Sequence, residues 1–312
     1  MSARSFSKLD WQLHDHVQRK SAAKRLAYLL LRPLLDLNAR RHLSRAFHDE
    51  IGPAQVFFTR GTPLEWRRRW GAHRVSLRGA TVLIQGTGSG WDTISWAELR
   101  PDRIIATDLY AFEDSWAEIA RHCRDRLGVA VEFRQAPLED HGFIRDASID
   151  LCASDAVFEH CRDLPAVLRE SRRMLRAGGS IYASYGPLWY GPGGDHFSGR
   201  GGPETIYNHL LLDAADYKGY VDAQIRPVED FQSGGRYIEL DLFSRLTTRQ
   251  YLAAYRAAGF VVDGLVVELS PAAFAYRRRY PERWRTILAR HPDVTADDLA
   301  VKANLVRLLK PA

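Results

Sequence analysis

TVLIQGTGSGWDTISWAELRPDRIIATD, residues Thr81 to Asp108, reads as strand, glycine-rich turn, helix, strand. Thr81-Val82-Leu83-Ile84 is a short apolar run of the kind buried on both faces of a parallel sheet. Gly86-Thr87-Gly88-Ser89-Gly90 follows at once. Glycines there let the backbone turn tightly and leave room for a ligand against it. The segment from about Trp91 to Leu99 is expected to be the crossover helix, with its N-terminus facing that ligand. Arg103 to Thr107 is a second buried strand ending on Asp108. A carboxylate at that strand tip, about 20 residues after the glycines, is placed to accept hydrogen bonds from ribose hydroxyls.

The glycine spacing separates two cofactor classes. A dinucleotide fingerprint, G-x-G-x-x-G, needs its third glycine where Trp91 stands. The spacing present is G-x-G-x-G, which resembles motif I of the class I S-adenosylmethionine (SAM) dependent methyltransferases. A second block follows at Ser148 to His160, SIDLCASDAVFEH. Asp150 to Ala153 reads as a strand with Ser154-Asp155 at its ligand-facing end. A helix from about Pro165 to Leu175 closes on Arg176-Ala177-Gly178-Gly179, and Ser180 to Ser184 is the next strand. That order resembles the family's fourth strand, "EH" pair, amphipathic helix, "LRxGG" and fifth strand. The run LTxxxYxxxxxxAGF, from Leu246 to Phe260, resembles the helix before its sixth strand. Val261-Val262 then opens strand six, and Ala300 to Lys310 reads as the last strand. The resemblance covers residues 79–185 well and the C-terminal part more loosely. It implies an α/β fold: a Rossmann-like class I methyltransferase sheet, mostly parallel, of seven strands with the last antiparallel, and helices on both faces.

The resemblance also implies SAM as cofactor, with S-adenosyl-L-homocysteine as product. It carries cofactor contacts to Gln85, Gly86, Thr87, Gly88 and Gly90, to Asp108 and Leu109, to Ala136, Pro137 and Leu138 around the adenine, and to Ser154 and Asp155. Two departures stand out. The family usually has an acidic residue at the position of Gln85, where it anchors the amino-acid end of the cofactor. Glutamine donates and accepts hydrogen bonds but has no charge for an ammonium group. Near the adenine the closest acidic residues are Glu139 and Asp140.

Residues 186–245 exceed the minimal fold, in the place where members of this family build a substrate lid. Glycine and proline shape the loop after Gly186, and Trp189, Tyr190 and Phe197 offer flat apolar surface. Gly199 to Pro203 and Gly234-Gly235 read as flexible turns. Methyl transfer to oxygen needs a base. His196, led by Asp195, is the first candidate because an imidazole near pKa 6.5 takes a hydroxyl proton at neutral pH. Asp155 is a second candidate, orienting cofactor or substrate. His160, in the "EH" pair, reads as structural. No [D/N]-P-P-[Y/F] motif follows the fourth strand, and the Pro-Cys nucleophile of cytosine C5 enzymes is missing. The acceptor expected is a small molecule, a sugar hydroxyl or a lipid-linked glycan, methylated on oxygen.

The chain has 312 residues and 46% hydrophobic content, enough for one large domain with additions. Cys123, Cys152 and Cys161 lack paired spacing, which points away from a disulfide framework and a zinc site and toward a reducing cytoplasm. No apolar stretch reaches the roughly 18 residues of a membrane span. Residues 1–78 hold 16 Lys+Arg against 6 Asp+Glu, a balance of +10, while the remaining residues balance at −4. They read as a basic, helical N-terminal extension to a methyltransferase domain over 79–312, with residues 1–20 irregular or weakly helical.

From Ser21 the leucine-rich pattern is amphipathic, interrupted at Arg32-Pro33 and flanked by Lys20, Lys24, Arg25, Arg40 and Arg41. It fits packing on the main domain, a homodimer, or peripheral membrane contact. Trp66 and Trp70 around Arg67-Arg68-Arg69 read as a helix with one packed and one solvated face, rather than as a nucleic-acid surface. Two other functions remain open: a non-catalytic, methyltransferase-like partner protein, and an RNA methyltransferase that grips phosphates with the basic arm.

Overall fold

A computed structural model describes residues 22–58, 64–224 and 241–312. The reading of residues 1–20 and the Gly234-Gly235 turn lie outside the described residues. In chain order the elements are α1 (Ala22–Arg40), α2 (Arg45–Ile51), β1 (Gln55–Phe58), α3 (Leu64–Gly71), β2 (Thr81–Gln85), α4 (Trp91–Ala97), β3 (Arg103–Asp108) and α5 (Glu113–His122), the last followed by a π-helical turn at Cys123–Leu127. Then come β4 (Ala130–Gln135), β5 (Ile149–Asp155), a 3₁₀ turn at Phe158–His160, α6 (Leu164–Met174) and β6 (Leu175–Tyr185). A 3₁₀ turn at Pro203–Thr205, α7 (Asn208–Leu211) and α8 (Ala214–Gln224) follow. The chain closes with α9 (Thr248–Ala257), β7 (Val261–Leu269), α10 (Pro271–Arg279), α11 (Pro281–Arg290), α12 (Ala296–Ala300) and β8 (Val301–Leu309).

The strands form one sheet in the order β1-β7-β8-β6-β5-β2-β3-β4. Only β8 runs against its neighbours, β6 and β7. The central parallel strands β2, β3 and β5 are largely buried, whereas the edge strand β4 carries Glu132, Arg134 and Gln135. Alternation divides β2 between two cores. Leu83 packs toward Val167 and Leu168 of α6 and Tyr251 and Leu252 of α9. Val82 and Ile84 pack toward Ile94 and Trp96 of α4 and Ile119 of α5. Thr247 caps α9 with a reciprocal box, its hydroxyl taking the Gln250 N–H while the Gln250 side chain takes the Thr247 N–H.

The sheet has eight strands where seven were expected. The eighth, β1, comes from the segment read as helical. Gln55 to Phe58 pair in parallel with Val266 to Leu269, which covers what would otherwise be an open edge. Strands β6 and β7 are parallel to each other, because each pairs antiparallel with β8. The segment after β6 and the helices between β7 and β8 therefore leave the same carboxyl edge as the glycine loop. They share a core there: Tyr207 and Leu210 pack with Tyr276, Trp284, Ile287 and Leu299. The segment after β6 and α10–α12 form one cap.

Candidate functional site

The glycine loop is held mainly by backbone hydrogen bonds. The N–H groups of Gly86 and Thr87 donate to the Thr107 carbonyl at 2.8 and 2.9 Å, and Gly90 N–H closes the turn on Thr87 O at 2.9 Å. Gly86 has a φ of +73°, and a Cβ there would lie 2.3 Å from the Val157 side chain. Gly88, at φ +52°, differs: a Cβ there would meet nothing within 4 Å. Gly88 thus borders open space at the sheet edge, while its N–H donates to Asp108 Oδ2 at 2.7 Å and its carbonyl accepts from Trp116 Nε1 at 2.8 Å. Gly90, also at positive φ, leads into α4, and the Thr87 and Thr93 hydroxyls pair at 3.0 Å beneath the turn.

Asp108 therefore does two jobs. Its Oδ1 accepts the Tyr110 N–H at 3.0 Å while Oδ2 fixes the loop. Burial raises its pKa above the ordinary carboxylate value, and the N–H bonds of Tyr110, Gly88 and Leu109 pull against that rise. Leu109 is exposed beside it. Ala136 donates its N–H to the Asp108 carbonyl at 2.9 Å, which carries Ala136-Pro137-Leu138 to the same edge. Pro137 is exposed, and Leu138 packs on the main core. Glu139 and Asp140 are exposed. Sequence reasoning missed His141, which is fully buried below this loop, 3.1 Å from the Thr107 hydroxyl.

Two expected contacts are corrected. Gln85 is fully buried, and its amide Nε2 donates to the Ser171 hydroxyl of α6 at 3.0 Å. The side chain faces the helix behind the sheet, so it does not line the loop. Ser154 is also buried, with its hydroxyl on the Gln85 carbonyl at 3.1 Å, tying β5 to β2.

Asp155, at the end of β5, is enclosed by cations that come from the N-terminal segment. Arg68 of α3 donates from Nη1 to Asp155 Oδ2 at 2.5 Å, from Nη2 to Asp92 at 2.9 Å and from Nε to the Ser95 hydroxyl at 2.8 Å. The Tyr182 hydroxyl donates to Asp155 Oδ1 at 2.9 Å. Burial of Arg68 works against its charge, but Asp155 and Asp92 outweigh that and hold its pKa above the ordinary arginine value. Arg67 lies 3.5 Å from Asp155 and donates to the Ser184 hydroxyl at 3.2 Å. Its Nε is buried and, among the described residues, has no hydrogen-bond partner. Asp155 is thus an anchor with both oxygens engaged by protein groups, where a role in orienting cofactor or substrate was expected. The Trp66–Trp70 run marked a half-packed helix but gave no sign of the sheet-edge partners of Arg67 and Arg68. Trp66 and Trp70 stack on each other at 5.7 Å and are partly buried. That gives a packed helix, with two of its three arginines committed to the sheet edge.

The lid brings His196 to the turn after β5. Its ring stacks on His160 at 4.9 Å between centroids, and Phe243 flanks both at 6.3 and 5.4 Å. Trp189 packs on Phe243 at 4.8 Å, with the Arg245 guanidinium over the Trp189 ring. The Leu242 carbonyl accepts from His160 Nδ1 at 2.9 Å, which sets that ring's tautomer. Burial lowers the pKa of His196, and burial and the neighbouring imidazole push His160 down to about 3. Both rings are neutral at neutral pH.

Asp195 does not serve His196 as expected. It is fully buried and accepts from the Ser198 N–H, the Ser198 hydroxyl and the Tyr217 hydroxyl at 2.8 to 2.9 Å. His209, not His196, lies against it, with Nδ1 2.9 Å from Ser198 Oγ and Nε2 2.7 Å from the Trp189 carbonyl. The Asp-Ser-His group locks the lid from within. Phe197 is buried in that lock, so only Trp189 and Tyr190 of the three aromatic residues offer surface.

Residues 83–183 match the methyltransferase domain family Methyltransf_11. Malonyl-[acyl-carrier protein] O-methyltransferase of Serratia marcescens is 34% identical over 107 residues, 34% of this chain and 38% of that protein. Ubiquinone biosynthesis O-methyltransferase of Pseudomonas syringae pv. syringae is 29% identical over 163 residues, 52% of this chain and 66% of that protein. The chain thus aligns with less than half of the first relative. A solved S-adenosylmethionine dependent methyltransferase from Mesorhizobium loti has 18% identity at a TM-score of 0.45, over 79% of this chain and 99% of that one.

Proposed function

Residues 83–183 being a class I SAM-dependent methyltransferase domain, we propose that the whole chain transfers a methyl group from SAM to a hydroxyl oxygen of a small-molecule or glycan acceptor. The observation that carries this reading is the neutral His196–His160 pair, set by the lid on the edge that also holds the open space at Gly88.

The residues present fit the cofactor. Gly88 leaves the room that a Cβ would fill. Asp108 and the exposed Leu109 stand where a ribose and a base are received, with Ala136, Pro137 and Leu138 beside them. Arg67, with Nε unpartnered, is the cation for the methionyl carboxylate. When bound, the cofactor supplies an electrophilic methyl carbon on a sulfonium centre. The protein orients the acceptor oxygen in line with that carbon and excludes water. A ring nitrogen of His196 takes the hydroxyl proton as the oxygen–carbon bond forms. The products are a methyl ether and S-adenosylhomocysteine. Trp189 and Tyr190 receive the acceptor's apolar or ring face.

Calorimetric titration with SAM and with S-adenosylhomocysteine, then transfer of labelled methyl to hydroxylated acceptors, tests the reading. Saturable binding of both ligands with a labelled ether product supports it. No binding to cofactor-free protein rejects it and favours a non-catalytic partner protein.

A further inference from the structure

Helix α1 packs through a mixed face, on which Leu35 meets Phe57, Val266 and Leu305 beside Arg32 and Asp36. Asp36 accepts the Val56 N–H at 2.5 Å, and the Arg32 guanidinium lies 3.9 Å from the Trp66 ring centroid and 5.0 Å from that of Phe57. Ala39 is buried among the core residues. The other side carries Leu26, Leu30, Leu34 and Leu37, at helical spacing, with exposures of 59%, 70%, 63% and 51%. Leu31 is exposed beside them. A continuous leucine stripe turned away from the protein marks an interaction surface.

Charge identifies the partner. Lys20, Lys24 and Arg25 precede the stripe in sequence and Arg40 and Arg41 follow it, within a segment whose balance is +10. The C-terminal end of the stripe continues onto the cap: His42 lies 5.1 Å from Phe274 of α10, ring to ring. That helix ends in Arg277, Arg278 and Arg279, all exposed. A second copy laid on this stripe would bring one basic segment against another, which is repulsive at physiological salt. An anionic bilayer meets both needs, with acyl chains for the leucines and phosphates for the flanking cations. Among the described residues no helix is long and apolar enough to cross a membrane, so the helix would lie along the surface.

We propose that α1 is an interfacial anchor that binds anionic lipid membranes through Leu26, Leu30, Leu34 and Leu37. This stands apart from the catalytic reading and can fail without it. The test is co-sedimentation of the full chain with phosphatidylcholine vesicles, with and without phosphatidylglycerol. Binding to the anionic vesicles at least ~10-fold tighter than to neutral ones is expected, weakening with salt. The double variant L30E/L34E should lose it while keeping its thermal melt and SAM binding, because both side chains are exposed. Four results overturn the proposal. One is no binding by the wild-type chain. The second is binding that L30E/L34E leaves unchanged. The third is a dimer in light scattering that L30E/L34E converts to monomer, which assigns the face to a second copy. Binding gained only when residues 1–20 are deleted assigns it to that segment and overturns the proposal too.

Discussion

Asp155 and His160 stand on either side of one strand end, and their surroundings are opposite. Asp155 is enclosed by Arg67, Arg68 and the Tyr182 hydroxyl, so its charge is matched and its position fixed. His160 and His196 stack on each other beside Phe243, and burial is the main cause that lowers both imidazole pKa values, with Asp195 and Arg200 acting in opposite directions on His196. Under the proposed function the difference separates two tasks. A zwitterionic amino-acid end needs fixed countercharges, which cost little reorganisation once built. A proton acceptor needs a neutral, unprotonated nitrogen at rest.

Four changes would break or sharpen that division. The largest effect is expected for Arg68→Met, which leaves Asp155 and Asp92 without their buried partner. Urea denaturation should show a loss of about 3–5 kcal/mol; a loss below ~1 kcal/mol would mean that the charged side is not a structural lock. Next is Gly88→Leu. Its side chain enters the open space, so the SAM Kd should rise about 100-fold, equivalent to ~2.7 kcal/mol. Stability should fall by only about 1–2 kcal/mol for the left-handed backbone. Third, His196→Ala should lower kcat about 10²-fold with SAM affinity intact; equal loss of both would move His196 to the cofactor side.

The fourth effect depends on pH and is expected at Glu159, which lies between the two regions, fully buried with Oε1 on the Gly186 N–H at 2.8 Å. Burial pushes its pKa up to about 8. The folded chain therefore holds this proton more tightly than the unfolded chain does. Its contribution to stability is complete below the unfolded value of about 4.3 and is lost as pH rises toward the folded one, by at most ~1.4 kcal/mol per pH unit. Denaturation curves of Glu159→Gln against wild type should converge at low pH and separate in favour of the variant as pH rises. Parallel curves would show that Glu159 ionises freely.

The strand–glycine–helix–strand block was legible because its geometry is local. Gly86, Gly88 and Asp108 lie within one βαβ unit, and backbone rules link them. The amphipathic patterns of α6 and α9 and the antiparallel last strand were legible for the same reason. Gln85 was misassigned because its place beside the glycines was weighed above the alternation of β2, which puts it with Leu83 on the α6 side. Asp195-His196 looked like a working pair because the residues are adjacent, yet adjacent residues in a turn point apart, and Asp195 found Ser198, His209 and Tyr217 instead. Arg68 was hidden for the opposite reason: its partners, Asp92 and Asp155, are remote in sequence, and an arginine run on a helix usually faces solvent. Strand β1 has only four residues among helical patterns, and its partner is far along the chain.

That partner gives β1 a consequence for synthesis. Gln55 emerges from the ribosome long before Val266, the residue it pairs with. Its neighbour in the sheet is made almost last, and β8 must still insert between β7 and β6. The sheet is therefore unable to assemble in the order of translation. The first half, β2 to β5, can close while the chain grows, whereas β1 waits with its hydrogen-bonding groups open. Pairings of such long sequence separation form slowly, so during that interval the early segment depends on chaperones or rapid completion of the chain to stay unassociated.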